Sequence, residues 1–246
     1  FKLINNNLLD TYMNFLLTGG AGYIGSHAAL SLLDAGHNVH IIDNLSTGNE
    51  SLIPKNAFFT NCNISDEKVI SELIKSNSFD LLMHFAGFIQ VEESVKYPQK
   101  YFDNNTENAI KLFKTCKNNG LNKIVFSSTA AAYGSVSENK LIDENTNLNP
   151  QNPYAESKIK TENFLFENKD DYKFIILRYF NVAGADKKLR SGQISKRSTH
   201  LIKIISEVVV GKRDHIEIFG NDYNTPDGTA IRDYIHVSDL ADIHLE

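Results

Sequence analysis

Short apolar runs alternate along this chain with longer segments whose apolar residues recur with helical spacing. The first run, NFLL at residues 14–17, precedes a segment that places Ile24, Ala28, Leu32 and Ala35 on one helix face. Further apolar runs lie at residues 40–43, 57–59, 81–85, 123–127 and 172–179, and further helical segments lie at 67–75, 101–118, 154–168 and 237–246. Strands that alternate with helices predict an α/β fold built on a doubly wound parallel sheet.

The turn after the first strand, TGGAGYIGSH at residues 18–27, is typical of a site for the diphosphate of a dinucleotide. Gly19 can turn tightly, Gly22 lets the backbone approach a ligand, and Gly25 lets the helix pack close to the strand. The N–H groups and the positive dipole of the helix start then face the diphosphate. A turn between strand and helix favours glycine in any case, so the flanking strand and helix carry the interpretation.

The second strand ends in Asp43, a position from which a carboxylate can bind both hydroxyls of an adenosine ribose. The same charge repels a 2′-phosphate, so the residue favours NAD over NADP. No lysine or arginine lies between Asp43 and Glu50, which agrees with this choice. The alternative is an exposed turn aspartate before Asn44.

The composition narrows the classes of partner. A net charge of −5 argues against nucleic acid or an anionic membrane as the main partner, and no apolar run approaches the length of a membrane span. The two cysteines, Cys62 and Cys116, lack the spacing of metal ligands. We therefore expect reduced thiols in a cytoplasmic protein and no metal site.

The two ends of the chain differ from its regular middle. Residues 1–12 are polar and asparagine-rich, and we expect a disordered leader there, with the natural start at Met13. Residues 13–180 are then an NAD-binding, Rossmann-like domain, and residues 181–246 part of a smaller, truncated substrate-binding region. The basic stretch at 187–197 is interpreted as a solvated loop, with a substrate lid as the alternative.

Three residues are candidates for the chemistry. The fifth strand ends near Thr129, whose hydroxyl would point into the crevice, and Pro153 starts a helix that carries Tyr154 and Lys158 on one face. An ammonium beside a phenol favours the phenolate, which can then act as a base. A Tyr-x-x-x-Lys pair is weak evidence by itself, and its position on this fold carries the interpretation. His84, inside an apolar strand, is expected to be a hydrogen-bonded core residue rather than a catalyst.

Several motifs occur in order from about Asn14 to the end of the chain. They are TGGAGYIGSH (18–27), DN (43–44), HFAG (84–87), SSTAAAYG (127–134), PYAESK (153–158), RYFN (178–181), IFGNDY (218–223), DGT (227–229) and RDYIHV (232–237). Together they resemble the extended short-chain dehydrogenase/reductase family, and within it the nucleotide-sugar 4-epimerases.

The resemblance implies tightly bound NAD and the interconversion of UDP-glucose and UDP-galactose by transient oxidation at C4. Tyr154 would take the proton of the 4-hydroxyl, Thr129 would hydrogen-bond the same oxygen, and Lys158 would hold the nicotinamide ribose and lower the pKa of Tyr154. Residues implied at the cofactor are Gly19, Gly22, Tyr23, Ile24, Gly25, Asp43, Asn44, Asn63, Ile64, Phe85, Ala86, Gly87, Asn104, Lys158 and Phe180. Those implied at the substrate are Thr129, Tyr154, Asn181, Phe219 and Arg232. A homodimer through the helices near 101–118 and 154–168 is implied as well.

The chain departs from the family pattern at several positions. Asn63 stands where many members carry an aspartate toward the adenine, and Ile89 stands where a lysine toward the diphosphate is frequent. Thr129 keeps the hydroxyl of the serine found in several members. His200 lies near a position where other members often carry an asparagine that contacts the substrate. The family's C-terminal segment, with a further arginine and the residue that gates N-acetyl sugars, has no counterpart in this sequence.

Three alternatives to this activity differ in the residues they require. A nucleotide-sugar 4,6-dehydratase needs an acidic pair after Thr129, where this chain has Ala130 and Ala131, so dehydration is disfavoured. A 4-epimerase of UDP-N-acetylhexosamine or UDP-pentose remains open. A non-catalytic NAD-binding sensor is less favoured, because such proteins usually lose the tyrosine or the lysine and this chain keeps Tyr154 and Lys158.

Overall fold

The computed structural model describes residues 12–135, 141–195 and 199–246. The expected leader at residues 1–12 lies outside them except for its last residue. The strands are β1 Asn14–Thr18, β2 Asn38–Asp43, β3 Phe58–Asn61, β4 Leu81–His84, β5 Lys123–Ser127, β6 Lys173–Leu177, β7 Asn181–Ala183 and β8 Tyr234–His236. The α-helices are α1 Tyr23–Asp34, α2 Glu67–Ser76, α3 Val91–Lys96, α4 Pro98–Tyr101, α5 Asn108–Asn118, α6 Pro153–Glu167, α7 Leu201–Val209 and α8 Val237–Leu245.

Six strands form one parallel sheet in the order β3-β2-β1-β4-β5-β6. The chain runs outward from β1 to β3, returns to the middle at β4 and runs outward again to β6. This doubly wound, Rossmann-like α/β fold confirms the predicted class. The reversal between β1 and β4 opens a crevice at the carboxyl edge of the sheet, where such folds bind their ligands. The residues that end the central strands at this edge are Thr18, Asp43, His84 and Ser127.

Helices cover both faces of the sheet, which explains why its strands are continuous apolar runs. On one face, strand residues such as Leu16 and Phe126 pack with Ile70 of α2 and Phe113 of α5. On the other face, strand residues such as Ile41 pack with the small and aliphatic side chains of α1. All of these side chains are fully buried.

The predicted long helix at residues 101–118 is interrupted. After α4, residues Phe102–Glu107 form a π-helical segment, and the regular α-helix resumes only at Asn108. The wider turn inserts a residue into the helical register. It turns the polar side chain of Asn105 inward, where this residue is 1% exposed. The spacing of apolar residues does not show that a polar residue such as Asn105 is buried, so the sequence did not predict this interruption.

The last part of the chain returns to the main sheet domain. Strands β7 and β8 pair in parallel as a separate two-stranded sheet, and α8 then packs against α1. Val182, Val237 and Leu240 form a small buried cluster against Tyr23 and Ile24. The helix predicted at 237–246 is thus present as α8, and it packs against the first turn of α1.

Candidate active site

The glycine loop is packed as tightly as its sequence predicts. Gly19 has a φ of +74°, and a Cβ there would lie 2.5 Å from the backbone nitrogen of Ala86. A Cβ on Gly25 would lie 2.4 Å from the carbonyl oxygen of Gly19, so α1 touches the loop directly. Gly22 precedes the helix, and none of the described side chains caps this N-terminus. The first N–H groups of α1 are therefore oriented toward the crevice without a capping side chain.

Asp43 binds this loop from the end of β2. Its carboxylate accepts hydrogen bonds from the backbone N–H of Ala21 at 3.1 Å and of Leu45 at 2.8 Å. Burial raises the pKa of this carboxyl group, and the two backbone hydrogen bonds oppose that rise. The carboxylate is thus fixed beside the glycine loop, where a ribose that follows the diphosphate would meet it.

The predicted catalytic hydroxyl and phenol meet at the carboxyl edge of β5. Thr129 is 7% exposed and its side chain is hydrogen-bonded with Tyr154. Since the N–H of Ala131 donates to Thr129 Oγ1 at 3.1 Å, the threonine hydrogen is available to the phenol oxygen. Tyr154 lies in the first turn of α6, whose N-cap Asn152 accepts from the N–H of Ala155 at 2.9 Å.

Burial and one hydrogen bond act on the pKa of Tyr154 in opposite directions. Burial raises the pKa of the phenol, and the hydrogen bond from Thr129 lowers it by less. The ammonium Nζ of Lys158 donates to the carbonyl oxygen of Ser127 at 2.9 Å. The expected lowering of the Tyr154 pKa by Lys158 stays a prediction. Burial lowers the pKa of the Lys158 ammonium to about 8, and the negative charge of Glu162 acts in the opposite direction.

His84 is a core residue, as expected. It is 1% exposed, its Nδ1 lies 2.6 Å from Thr18 Oγ1, and its ring stacks on Phe126. Burial lowers its pKa to about 3, with a further contribution from the charge of Lys158. The imidazole is therefore neutral near pH 7 and ties β4 to β1 beside the glycine loop.

The segment after β4 forms the opposite wall of the crevice. A Cβ on Gly87 would lie 3.2 Å from Asn105 Oδ1 and 3.3 Å from Lys158 Nζ, so a side chain there would press on both groups. Phe85 and Ala86 are half-buried, and the Phe85 ring lies 4.8 Å from that of His244. Ile89 is 56% exposed.

Asn105, which the sequence analysis did not single out, fixes this wall. Its amide oxygen accepts from the N–H of Phe88 at 2.8 Å, and its amide nitrogen donates to the Phe88 carbonyl at 2.9 Å and to Ser157 Oγ at 3.2 Å. Asn104, predicted at the cofactor, is half-buried and donates to Asn105 Oδ1 at 3.0 Å. The pair thus lies between the 85–88 segment and α6.

The remaining residues predicted at the cofactor surround the same edge. Tyr23 donates to the Gly184 carbonyl at 2.7 Å, and Ile24 packs beside it. Asn44 and Asn63 each accept a backbone N–H two residues ahead, so their side chains shape local turns. Ile64 is buried in the core.

The predicted substrate residues do not all come together. Asn181 donates to the Asp233 carbonyl at 3.1 Å, which joins the two short strands. The neighbouring Phe180, predicted at the cofactor, is 42% exposed. Phe219, 80% exposed, and Arg232 lie in the irregular 210–233 segment. Among the described residues, no hydrogen bond joins either of these two side chains to the Thr129–Tyr154–Lys158 group.

The described part of the basic stretch is tied to α1. Lys188 and Arg190 contact Asp34 at 2.9 and 2.8 Å, and Arg190 also contacts Asp186 at 2.8 Å. Residues 196–198 of this stretch lie outside the described residues. In the ranges that the structure describes, no cluster of metal ligands occurs, and no helix is both long and apolar enough to cross a bilayer.

Known proteins match both the sequence and this geometry. The family model described as the NAD dependent epimerase/dehydratase family matches residues 15–246. A UDP-glucose 4-epimerase of Azospirillum brasilense is 47% identical over 94% of this chain, which spans 66% of that protein. A UDP-glucose 4-epimerase of Bifidobacterium longum, solved with NAD+ and UDP, superposes with a TM-score of 0.88 at 36% identity over 94% of this chain and 72% of its own.

A third relative extends the range of substrates among similar proteins. The UDP-Glc/GlcNAc 4-epimerase of Campylobacter jejuni has a TM-score of 0.79 and 42% identity, over 95% of this chain and 73% of its own. This chain thus spans 66–73% of the length of these three proteins. The resemblance read from the motifs is confirmed, and the chain belongs to the NAD-dependent epimerase/dehydratase family.

Proposed function

We propose that this chain interconverts UDP-glucose and UDP-galactose by transient oxidation at C4 of the sugar, with NAD held at the glycine loop. The observation that carries the proposal is that the Thr129 side chain is hydrogen-bonded with the Tyr154 phenol just after β5, while Lys158, one turn further along α6, donates to the Ser127 carbonyl at the end of the same strand. Relatives at 47% and 45% identity are named UDP-glucose 4-epimerase.

The residues around the glycine loop fit NAD. Gly19 and Gly25 leave no space for a side chain, α1 starts without a capping side chain, and Asp43 lies beside the loop as a ribose partner. Lys158 would hold the nicotinamide ribose beside Gly87. When bound, NAD supplies the hydride acceptor and donor for the sugar carbon.

The protein's own groups handle the proton. Tyr154 as the phenolate would accept the proton of the 4-hydroxyl and later return it to the same oxygen. Thr129 would donate its hydroxyl hydrogen to the sugar oxygen when the phenol moves to its role as base. Because burial raises the pKa of Tyr154, positive charge close to the phenol must act before the phenolate forms near pH 7.

The substrate half of the proposal rests on the family motifs. Asn181 and Arg232 would bind the diphosphate of the UDP-sugar, and Phe219 would lie near the uracil. We also propose the division into a cofactor domain at residues 13–180 and a substrate region at 181–246, a homodimer, and a cytoplasmic location. A relative that acts on both UDP-Glc and UDP-GlcNAc gives N-acetylated sugars as the second candidate substrate class.

The test is turnover of UDP-galactose by the natural full-length protein without added NAD. We expect UDP-glucose as product, NAD in the denatured protein, and a loss of about 10²- to 10⁴-fold in kcat for Tyr154→Phe with NAD retained. Tyr97→Phe, at a tyrosine that is 51% exposed, is the matched control and keeps full activity. Unchanged turnover in Tyr154→Phe would refute the role of the phenol. Product from UDP-N-acetylglucosamine but not from UDP-galactose would show that N-acetylated UDP-sugars are the substrates instead.

A further inference from the structure

A buried ion pair lies directly behind the catalytic group. Glu162 follows Lys158 by one turn of α6, and it is only 1% exposed. Arg178, just after β6, donates from Nε to both carboxylate oxygens at 3.0 and 3.1 Å and from its Nη2 at 2.5 Å. A carboxylate is rarely buried in a protein unless it is paired, since charged partners have to compensate for its desolvation.

The same carboxylate reaches the end of β5. Ser128 Oγ donates to Glu162 Oε1, and Ser128 is itself 3% exposed. This serine stands between Ser127, whose carbonyl accepts from Lys158, and Thr129, whose side chain is bonded with Tyr154. The Glu162 carboxylate therefore holds the segment 127–129, which supplies the hydrogen-bond partners of both Lys158 and Tyr154.

We propose that Glu162 is a positioning residue for the reaction: held by Arg178, it fixes the end of β5 through Ser128 and keeps the Lys158 ammonium charged. The proposal rests on the proposed epimerase function and adds a residue that the motifs do not contain. Glu162 does not itself reach the site at which the sugar would bind. It acts through its neighbours on two different elements.

The electrostatic half of the role follows from the groups around Lys158. Burial lowers the pKa of this ammonium to about 8, and Glu162 is the carboxylate that opposes this change. Among the other titratable groups, His84 of β4 is neutral near pH 7, and burial raises the pKa of the Tyr154 and Tyr179 phenols.

Arg178 is the nearby cation, and its Nη1 also donates to the Tyr133 hydroxyl at 3.0 Å. Its charge is compensated by Glu162. Removal of the Glu162 charge takes a negative charge away from Lys158 and leaves the positive charge of Arg178 uncompensated. Both effects disfavour the charged form of Lys158.

The experiment compares Glu162→Gln with Glu156→Gln in the natural full-length protein. Glu156 is an exposed carboxylate on the same helix, paired with Lys160 at 3.2 Å. For Glu162→Gln we expect kcat for UDP-galactose to fall about 10- to 100-fold with KM within about twofold, since geometry rather than substrate binding is altered. The alkaline limb of kcat shifts to lower pH by about one unit, because Lys158 loses its proton earlier. Glu162→Asp restores the limb in part, and Glu156→Gln is unchanged.

A second readout does not depend on turnover. The NMR signal of the Lys158 side chain, assigned through Lys158→Met, gives its titration directly, and we expect it to move to lower pH in Glu162→Gln only. A wild-type protein without epimerase activity would refute the proposed function, while this titration would still decide the inference. A folded Glu162→Gln with an unchanged titration and kcat, or a Glu156→Gln with equal effects, overturns it.

Ser128→Ala keeps the proposal testable if Glu162→Gln does not fold. It removes the tether and leaves the ion pair of Glu162 and Arg178 intact. We expect kcat to fall about tenfold while the alkaline limb stays in place, because geometry changes and the charge does not. Wild-type kcat in Ser128→Ala would overturn the positioning role.

Discussion

Replacement of Gly25 by alanine tests the packing on which the cofactor site depends. The new Cβ would lie 2.4 Å from the Gly19 carbonyl oxygen and 3.0 Å from the Gly20 Cα, so backbone has to move by about 1 Å to reach ordinary contact. The loop cannot retreat, because Gly19 already lies against the backbone of Ala86. Helix α1 must therefore shift away from the loop, against the packed residues on its other side.

The magnitude follows from two opposing effects. Overpacking against backbone costs up to about 3 kcal/mol, and the higher helix propensity of alanine returns about 1 kcal/mol. We expect Gly25→Ala to lower the free energy of unfolding by about 2 kcal/mol, or roughly 4–8 °C in Tm for a chain of this size. The displaced N–H groups would also lower NAD affinity, by about 10- to 100-fold.

Urea unfolding with NAD removed and calorimetric titration with NAD separate the two effects. Gly22→Ala places a Cβ 3.1 Å from the Gly19 carbonyl, so it should reduce NAD affinity with a smaller loss of stability. Gly192→Ala, with its Cβ 3.6 Å from Ala185, is the matched control and should change stability by less than about 0.5 kcal/mol. A Gly25→Ala protein with wild-type stability would refute the packing argument, and wild-type NAD affinity in both loop variants would refute the diphosphate site.

Three further variants test other parts of the site. Asp43→Asn keeps an acceptor for the loop N–H but loses the charge, so the ratio of NADP to NAD affinity should rise at least about tenfold; an unchanged ratio contradicts the ribose assignment. Burial lowers the pKa of His84 to about 3. At a pH between about 3 and the ordinary pKa of histidine, the unfolded chain therefore binds a proton at this residue that the folded chain does not. From pH 6 to 4, stability should therefore fall with decreasing pH by about 1.4 kcal/mol per unit more in the wild type than in His84→Gln; equal slopes in urea unfolding would exclude this contribution. Asn105→Ala removes its hydrogen bonds to Phe88 and should cost about 3 kcal/mol in urea unfolding, whereas exposed Asn118→Ala should cost almost nothing.

Much of the fold was predictable because both faces of the sheet are covered. Strands buried on both sides must be apolar throughout, so runs such as residues 14–17 and 123–127 coincide with β1 and β5 to within a residue or two. The same holds for Tyr154 and Lys158, whose spacing of four places them together on any helix. Asp43 was predictable because a strand end next to a glycine loop is a position fixed by topology.

The features that could not be predicted depend on contacts between distant segments. Asn105 is polar and lies in a helical stretch, and only its bonds to Phe88 show why the helix widens there. Glu162 shares the face of Tyr154 and Lys158, a signal that was present in the spacing. A glutamate on a helix is usually exposed, however, and its burial is explained only by Arg178, which comes from another element.

The precision of the site comes from α6, which is held at successive turns along its inner face. Its first turn starts at the Asn152 cap, Ser157 contacts Asn105, Lys158 contacts the Ser127 carbonyl, and Glu162 contacts Ser128 and Arg178. Every one of these partners belongs to the sheet domain or the helices that cover it. None belongs to the 210–233 segment that carries the proposed uracil and diphosphate contacts. Changes in that segment should therefore alter which UDP-sugar is bound, and KM with it, while the pH dependence of the chemical step stays the same.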